Sequence, residues 1–577
     1  MGGTSRRLEA LRHEPAVAVV QPGEGPGREG QPGGQVAPAG QGTESRIRPL
    51  ARTDGRSDHW RQQAGAGQGH SQEEEEPMRA SVIGVILGWC LSGTVFAVEP
   101  VARPNVLLIV CDDLNTHVST SGYRHIKTPA FDALALTGMR FGRAYCQYPV
   151  CGPSRASFLS GLYPESTGVL DNKVDIRQTR PRTQTMPRCF REQGYWTGSV
   201  GKVFHSPRHE PGETDWNRFL RFQNDEMPHV TVARKAFEAK HGPVDKGKTR
   251  RLWKKHLNSL STQTRGQKRP GYGRSGLRDD QHKDGKNVRQ VVSWLDRKTY
   301  GKRPFFIACG IQKPHVPFLA PDRYFQLYPA SELRFPVTPA GFWDQAPRSA
   351  MVKRFQGFGF QLGEENDSLR REYTQAYHAC ISFIDAQIGM LLKSLERNGL
   401  EENTIVVLTS DHGYQLGEHF MWGKVTLFEV CDRVPLVIRV PGLTKPRSST
   451  AGLVELVDLF PTLSELCSLK PPADLQGRSL VPMLRDPGAP GKNVAYTVVR
   501  RGQKLGKAIR SGRWRYALWP DGEELYDLEK DSNEFVNLAK SKTHADVVAG
   551  LRVELVRAGK IAAARRKREG AATPNSR

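Results

Sequence analysis

The chain has 577 residues and a mass of 64.4 kDa, too long for one ordinary core and suited to two packed domains with tails. Hydrophobic residues at 38%, with 10 Trp, 15 Tyr and 23 Phe, exclude a wholly disordered chain, and 57 Gly without a G-X-Y period exclude a collagen. Lys and Arg outnumber Asp and Glu by 84 to 60, which favours polyanionic partners, and nine Cys are too few for a disulfide scaffold.

Residues 1–77 are rich in Gly, Pro, Gln and Arg, hold no Lys and end in the acidic run Glu73–Glu76. No apolar period of 2 or 3.6 persists there, which predicts disorder. Met78-Arg79 then opens a charge-free run from Ala80 to Val98, with Val82–Trp89 as its apolar centre and Val95-Phe96-Ala97 fitting a signal-peptidase site. Residues 78–97 therefore read as a signal peptide. The run is barely long enough to span a bilayer and carries Gly, Ser and Thr, so a cleaved leader is favoured and no stable membrane span is expected. A leader works only at an N-terminus. The reading thus starts the chain at Met78, treats 1–77 as an over-extended gene model, and directs the product to a secreted or periplasmic location. Without residues 1–97, 74 basic residues face 49 acidic ones, so the basic character belongs to the folded part.

From residue 101 the pattern is α/β. Asn105–Val110 is short and continuously apolar, as buried parallel strands are, and runs into Cys111-Asp112-Asp113. Residues 240–303 hold 19 Lys/Arg against 5 Asp, and Thr262–Gly276 within them is predicted to be a long surface loop. Pro304–Cys309 is a second strand, ending near Lys313-Pro314-His315. Glu372–Asn398 carries Ile381, Ile384, Ile388, Leu391, Leu392 and Leu395 at helical spacing, with Gly399 as its stop. Thr404–Thr409 is a third strand, ending at Ser410-Asp411-His412-Gly413. Ligands collect at the carboxyl ends of such strands. After about residue 445, Val494–Val499, Arg513–Leu518 and Glu524–Leu528 predict a smaller antiparallel sheet with one or two helices. Residues 551–577, with 8 basic and 2 acidic residues, read as a frayed tail. The expected units are 101–445, 446–550 and 551–577.

The sharpest local signal is Cys151-Gly152-Pro153-Ser154-Arg155, followed by Ala156-Ser157-Phe158-Leu159-Ser160-Gly161. Pro153 sits where the first turn of a helix tolerates it, which puts Cys151 at that helix's positive end, with Arg155 ready to hold an anion. A lone Cys before a helix is more often an inert core residue. Here it is accompanied by Asp112-Asp113, Gly201-Lys202-Val203-Phe204-His205, Gln312-Lys313-Pro314-His315, Ser410-Asp411-His412-Gly413, Leu416-Gly417-Glu418-His419, Trp422-Gly423-Lys424 and Glu524-Leu525-Tyr526-Asp527-Leu528. In this order, from about Arg103 to Leu538, the chain resembles the formylglycine-dependent sulfatases. Lys-x-x-His, Lys-Pro-His and Asp-His-Gly look most like the iduronate 2-sulfatase branch.

The resemblance implies an alkaline-phosphatase-like sulfatase fold: a large mixed, mainly parallel sheet flanked by helices, with a smaller C-terminal antiparallel sheet. It implies that a formylglycine-generating enzyme oxidises Cys151 to an aldehyde. One hydroxyl of the hydrate attacks the sulfate sulfur as the alcohol leaves, and the second expels sulfate by re-forming the aldehyde. It implies a metal held by Asp112, Asp113, Asp411, His412 and the modified Cys151. Three close carboxylates repel unless a cation lies among them, and oxygen ligands favour a hard ion, Ca²⁺ in this family. His412 stands where many sulfatases have Asn. Arg155, Lys202, His205, His315 and Lys424 would ring the sulfate, with Arg155 and Lys202 on the formylglycine oxygen and the sulfate oxygens and His315 or Lys424 protonating the leaving alkoxide. Many of these enzymes have Lys-x-His where this chain has Lys202-Val203-Phe204-His205. Glu418 and His419 are expected either to meet the sugar or to pair within their loop.

The favoured substrate is a sulfated polysaccharide or oligosaccharide. Two readings compete: a phosphomonoester or phosphonate hydrolase using the same aldehyde, and a non-catalytic glycan binder with Cys151 unmodified. Nucleic acid is not expected, because the basic stretch has few aromatics and no recognisable module. Cys111 and Cys309 lie in apolar runs and read as buried thiols, and no disulfide is assigned.

Overall fold

The computed structural model describes residues 103–563 except 246, 262–270, 336 and 353–366. The expectations for 1–77, for the leader at 78–97, for most of Thr262–Gly276 and for the end of the chain lie outside the described residues.

The first apolar run forms β1 (Asn105–Asp112), buried at every position. A strand apolar on both faces needs cover on both. β1 lies inside a large sheet whose other strands are β2 (Met139–Tyr145), β3 (Trp196–Gly201), β4 (Arg218–Leu220), β6 (Phe305–Pro314), β8 (Thr404–Ser410), β11 (Arg433–Val434), β12 (Leu436–Arg439) and β13 (Ser448–Glu455), and helices cover its two faces. Their order is β11-β2-β12-β8-β1-β6-β3-β4, with β13 also on β2. β1 pairs in parallel with β6 and with β8, and β12 runs antiparallel to β8. Separate small pairs are formed by β5 (Tyr272–Arg274) with β7 (Phe318–Ala320), and by β9 (Gln415–Leu416) with β10 (Trp422–Gly423).

The helices that matter to the site are α1 (Pro129–Thr137), α2 (Cys151–Ser160), α3 (Pro228–His241), α4 (Gly247–Ser261), α5 (Lys283–Asp296), α6 (Asp367–Arg397) and α7 (Ala545–Ala563). Leu107, Ile109 and Ile307 pack with Trp294 of α5 and Ile384 and Ile388 of α6. On the other face Val106, Leu108 and Val110 pack with Phe158 and Leu159 of α2 and with Phe460. The period-3.6 stripe read at 372–398 is thus the buried face of α6, and Gly399 ends it at φ +63°, where a glycine fits without strain.

Three expectations change. Among its described residues the basic stretch at 240–303 is helical over α4 and α5, and Tyr272–Arg274 of the expected loop is β5. Trp253 and Leu257 give α4 an apolar stripe that the surrounding Lys and Arg hide in the sequence. The boundary at 445 does not end the large sheet, since β13 pairs in parallel with β2. Nor does 551 begin a frayed tail: α7 runs through it and buries Val548, Leu551, Leu555 and Ala562 against the C-terminal sheet. That sheet is antiparallel, in the order β14 (Ala495–Arg501), β15 (Lys504–Ser511), β16 (Trp514–Trp519), β17 (Gly522–Asp527).

Where β3 ends beside β6, two glycines bring the backbones unusually close. A Cβ on Gly310 would lie 2.2 Å from the Lys202 carbonyl carbon, and one on Gly201 would lie 2.1 Å from the Gly310 oxygen. Lys202 N donates to Gly310 O at 3.0 Å across this contact. Gly310→Ala should therefore cost about 1–3 kcal/mol through overpacking and displace Lys202. Denaturant unfolding of the variant measures the cost, and an unchanged midpoint would show that the contact relaxes freely.

Candidate active site

β1 and β8 lie side by side in register, so their carboxyl ends place Asp112-Asp113 next to Asp411-His412. Asp411 N donates to Cys111 O at 3.1 Å, and Asp113 N donates to Asp411 Oδ1 at 3.1 Å. Asp113 takes a left-handed φ of 66°, and its carbonyl accepts from Tyr377 OH at 2.6 Å. Ser410 Oγ accepts from Leu114 N at 3.0 Å and donates to His412 O at 2.9 Å.

α2 begins at Cys151, with Pro153 in its first turn, where the missing N–H has no intrahelical partner to lose. Asn172 Oδ1 accepts from Gly152 N at 2.8 Å, and Ser154 Oγ donates to Asp411 O at 2.5 Å. Arg155 is one turn further and fully buried. Its Nε donates to Asp411 Oδ2 at 2.8 Å and its Nη2 to Asp112 Oδ1 at 3.3 Å, while Nη1 donates to the carbonyls of Lys202 and Val203. One planar guanidinium thus ties together β1, β8, α2 and the end of β3.

The other predicted residues converge on the same point. Lys202 Nζ pairs with Asp112 Oδ2 at 2.5 Å, and Lys424, delivered by the β9–β10 hairpin, pairs with Asp113 Oδ1 at 2.5 Å and reaches Cys151 Sγ at 3.0 Å. His412 Nε2 lies 3.4 Å from Cys151 Sγ and 3.4 Å from Asp113 Oδ1, with its Nδ1 on Gly413 O at 2.8 Å. His315 Nδ1 donates to Val316 O at 2.7 Å, which leaves Nε2 3.9 Å from Asp113 Oδ2. His205 lies close enough to Cys151 to act on its acidity, despite the longer Lys-x-x-His spacing.

These contacts set the charges. Burial opposes ionisation of the Cys151 thiol, yet Lys202, Lys424, His412 and His205 together hold it well below the ordinary thiol value. Burial likewise works against the Asp112 carboxylate, but Lys202, His315 and Arg155 hold it well below the usual range. Asp411 is pushed up to about 7, because its burial outweighs the help of Arg155 and His412. His412 is raised to about 9 by Asp411 against the pull of burial. Both lysines are raised, Lys202 chiefly by Asp112 and Lys424 chiefly by Asp113, each against the cost of burial.

The donors suit a divalent cation. Ligand atoms of Asp112, Cys151, Asp411 and His412 lie within 4.8 Å of one another, as do those of Asp112, Asp113, Cys151 and His315. Asp113 Oδ2 is buried and has no hydrogen-bond partner among the described residues. An orphaned carboxylate oxygen beside two further carboxylates is a site that a hard cation would complete.

Some residues here were not singled out from the sequence. Tyr377 and Ser410 fix the loops that carry Asp113 and His412. Asp284 accepts from Gln312 N and Lys313 N at 2.8 and 2.9 Å, and buried Lys313 donates to the carbonyls of His315 and Pro317, so both set the His315 loop. Tyr377 was readable as one more apolar position of a helix, but its hydroxyl contact was not. His419 does not meet a sugar. It is 2% exposed, stacks on Phe428 at 3.9 Å and bonds to Asn533 O at 2.9 Å. Glu418 turns back to accept from Leu416 N.

Family comparisons agree with this geometry. The family model “Sulfatase” matches residues 104–469, and “N-sulphoglucosamine sulphohydrolase, C-terminal” matches 417–560. A sulfatase of Formosa agariphila is 33% identical over 461 residues, covering 77% of this chain and 84% of its own. Iduronate 2-sulfatase of Mus musculus is 30% identical over 466 residues, covering 75% and 76%. The solved phosphonate monoester hydrolase of Agrobacterium radiobacter superposes with a TM-score of 0.63 at 23% identity, over 79% of this chain and 95% of that one, a likeness of fold. The sheet, its helices and its C-terminal antiparallel sheet define an alkaline-phosphatase-like α/β fold. The chain belongs to the sulfatase family, with iduronate 2-sulfatase as a close branch, and is a sulfuric ester hydrolase.

Arg155→Ala would take the guanidinium from buried Asp411 and leave Asp112 to Lys202 alone, which costs about 3–5 kcal/mol. Arg155→Lys should recover less than half, since an ammonium cannot span both partners. Denaturant midpoints of the two variants check the order.

Proposed function

We propose that this enzyme removes O-sulfate groups from sulfated glycans, as iduronate 2-sulfatase does from its own substrate, with Cys151 converted to formylglycine and a divalent cation, Ca²⁺ by donor type, held by Asp112, Asp113, Asp411, His412 and residue 151. The observation that carries the reading is the buried Cys151 at the start of α2, with Lys424 and His412 at 3.0 and 3.4 Å from its sulfur. The mature chain's excess of basic over acidic residues favours a polyanionic substrate.

The aldehyde, hydrated, supplies an oxygen nucleophile, and the cation supplies positive charge against sulfate oxygens. The remaining work falls to the chain itself. Arg155 holds the Asp112 and Asp411 carboxylates in fixed orientations. Lys202 and Lys424 bring ammonium groups to the place where negative charge grows. Asp411, with its carboxylate within 4.8 Å of the Cys151 sulfur, accepts a proton from the nucleophile. His315, its Nδ1 tied to Val316 O, presents Nε2 to the leaving oxygen as the proton donor. His205 offers a ring nitrogen for a hydrogen bond to residue 151. Export through the leader at 78–97 would bring enzyme and glycan together. Among the described residues no helix is long and apolar enough to cross a membrane.

Purified enzyme should show the peptide containing residue 151 lighter by about 18 Da than the thiol form, as oxidation to an aldehyde requires. His315→Ala should lower kcat on an aryl sulfate by about 10²–10⁴-fold, and chelation should abolish turnover until Ca²⁺ is restored. An unmodified thiol in active enzyme, or faster turnover of aryl phosphate than aryl sulfate, would overturn the assignment. Sulfate release from a panel of defined sulfated oligosaccharides then fixes the sugar and the position.

A further inference from the structure

Beyond β4 the chain leaves the large sheet and returns as β5 beside β7, where Phe318 N donates to Gly271 O at 2.9 Å. β7 begins three residues after His315. Within this excursion α3 and α4 build a small core from Val230, Phe237, Trp253 and Leu257, closed on Leu319 of β7. The helix pair is therefore fastened to the segment that carries His315.

α4 turns Trp253 and Leu257 inward. Lys248, Arg250, Arg251, Lys254 and Lys255 are exposed on the rest of the helix, which contains no Asp or Glu. None of the five has an ion-pair partner among the described residues. Of the neighbouring acids, Glu226 and Glu238 both pair with Arg234 at 3.1 Å, and Asp245 lies before the helix rather than on it. From Lys248 to Lys255 the helix rises about 10 Å, so its charges form a stripe rather than a point. Uncompensated like charges on one helix destabilise it slightly, and a multivalent anion would reverse that cost while releasing its own counterions.

We propose that the exposed face of α4 is a docking surface for the sulfated polysaccharide itself, binding sulfates other than the one being hydrolysed. This rests on the sulfated-glycan reading above. The partner is a sulfated sugar rather than single-stranded nucleic acid because Trp253 is buried and the half-buried His256 ring packs on Phe237 and Trp253, so neither ring of α4 stands open for a base to stack on.

The test compares the full-length enzyme with R250Q/R251Q/K254Q/K255Q, using heparin as the polymer and 4-nitrophenyl sulfate as the small substrate. Binding is titrated in a Cys151→Ala background, so that turnover does not interfere. The variant should bind heparin at least tenfold more weakly at about 0.1 M salt, and its slope of log affinity against log salt should flatten by about three. Its kcat and KM on 4-nitrophenyl sulfate, with Cys151 intact, should stay within twofold of the parent, which also shows that it folds. If the fourfold variant does not fold, R250Q/K254Q should give about half the change in slope. Unchanged heparin affinity and slope would overturn the proposal while leaving the catalytic reading intact. Conversely, lost heparin binding in a protein that hydrolyses no sulfate ester would leave the surface standing and remove the catalytic reading. Equal affinity of the parent for duplex DNA and heparin, with both lost in the variant, would also overturn it, assigning the face to nucleic acid.

Discussion

Asp112, Asp113 and Asp411 are all fully buried, and their mutual repulsion has to be answered inside the protein. Burying a single unpaired carboxylate is costly, and three within reach of one another are tolerable only if matching positive charge is buried with them. Arg155, Lys202 and Lys424 supply that charge from three places far apart in the chain: the first turns of α2, the end of β3 and the hairpin β9–β10. The charges balance only when the whole fold has assembled. Because the cations are fixed before any substrate arrives, a sulfate would meet dipoles and charges that need no reorganisation.

The C-terminal sheet belongs to this same balance. Lys424 ends the hairpin, and the residues just after it are braced by that sheet: Arg501 donates to Val425 O at 2.7 Å and Arg515 to Leu427 O at 2.5 Å. Val425 N in turn donates to Pro149 O at 3.2 Å, two residues before Cys151. Glu534 accepts from Glu429 N at 2.8 Å while pairing with Arg515 at 2.9 Å. The C-terminal sheet thus braces the segment that follows one of the two site lysines.

Much of the centre was legible from residue order. Continuous apolar runs at Asn105, Phe305 and Thr404 could be buried only as inner strands, and parallel inner strands deliver the residues at their carboxyl ends to one edge. That is why Asp112, Asp113, Asp411 and His412 were found together. Less was legible where charge masked pattern. α4 carries two inward apolar residues among Lys and Arg, too few to raise a period above the noise, and α7 was hidden by the basic end of the chain. Residue order left Glu418 and His419 between a sugar contact and pairing within their loop, and only packing shows the His419 ring held in the core by Phe428.

Residue order alone sets the chemistry: which side chains carry carboxylate, thiol, ammonium and imidazole, and which strand or helix end presents each. Local rules suffice for that, since the apolar run, the early proline and the closing glycine act over a few residues. Tertiary structure alone decided the pairing. Arg155 faces both Asp112 and Asp411, Lys424 faces Asp113, and Tyr377 and Lys313 hold the loops. These are contacts between segments tens to hundreds of residues apart. No period or spacing encodes them, because each depends on how sheets and helices pack once formed.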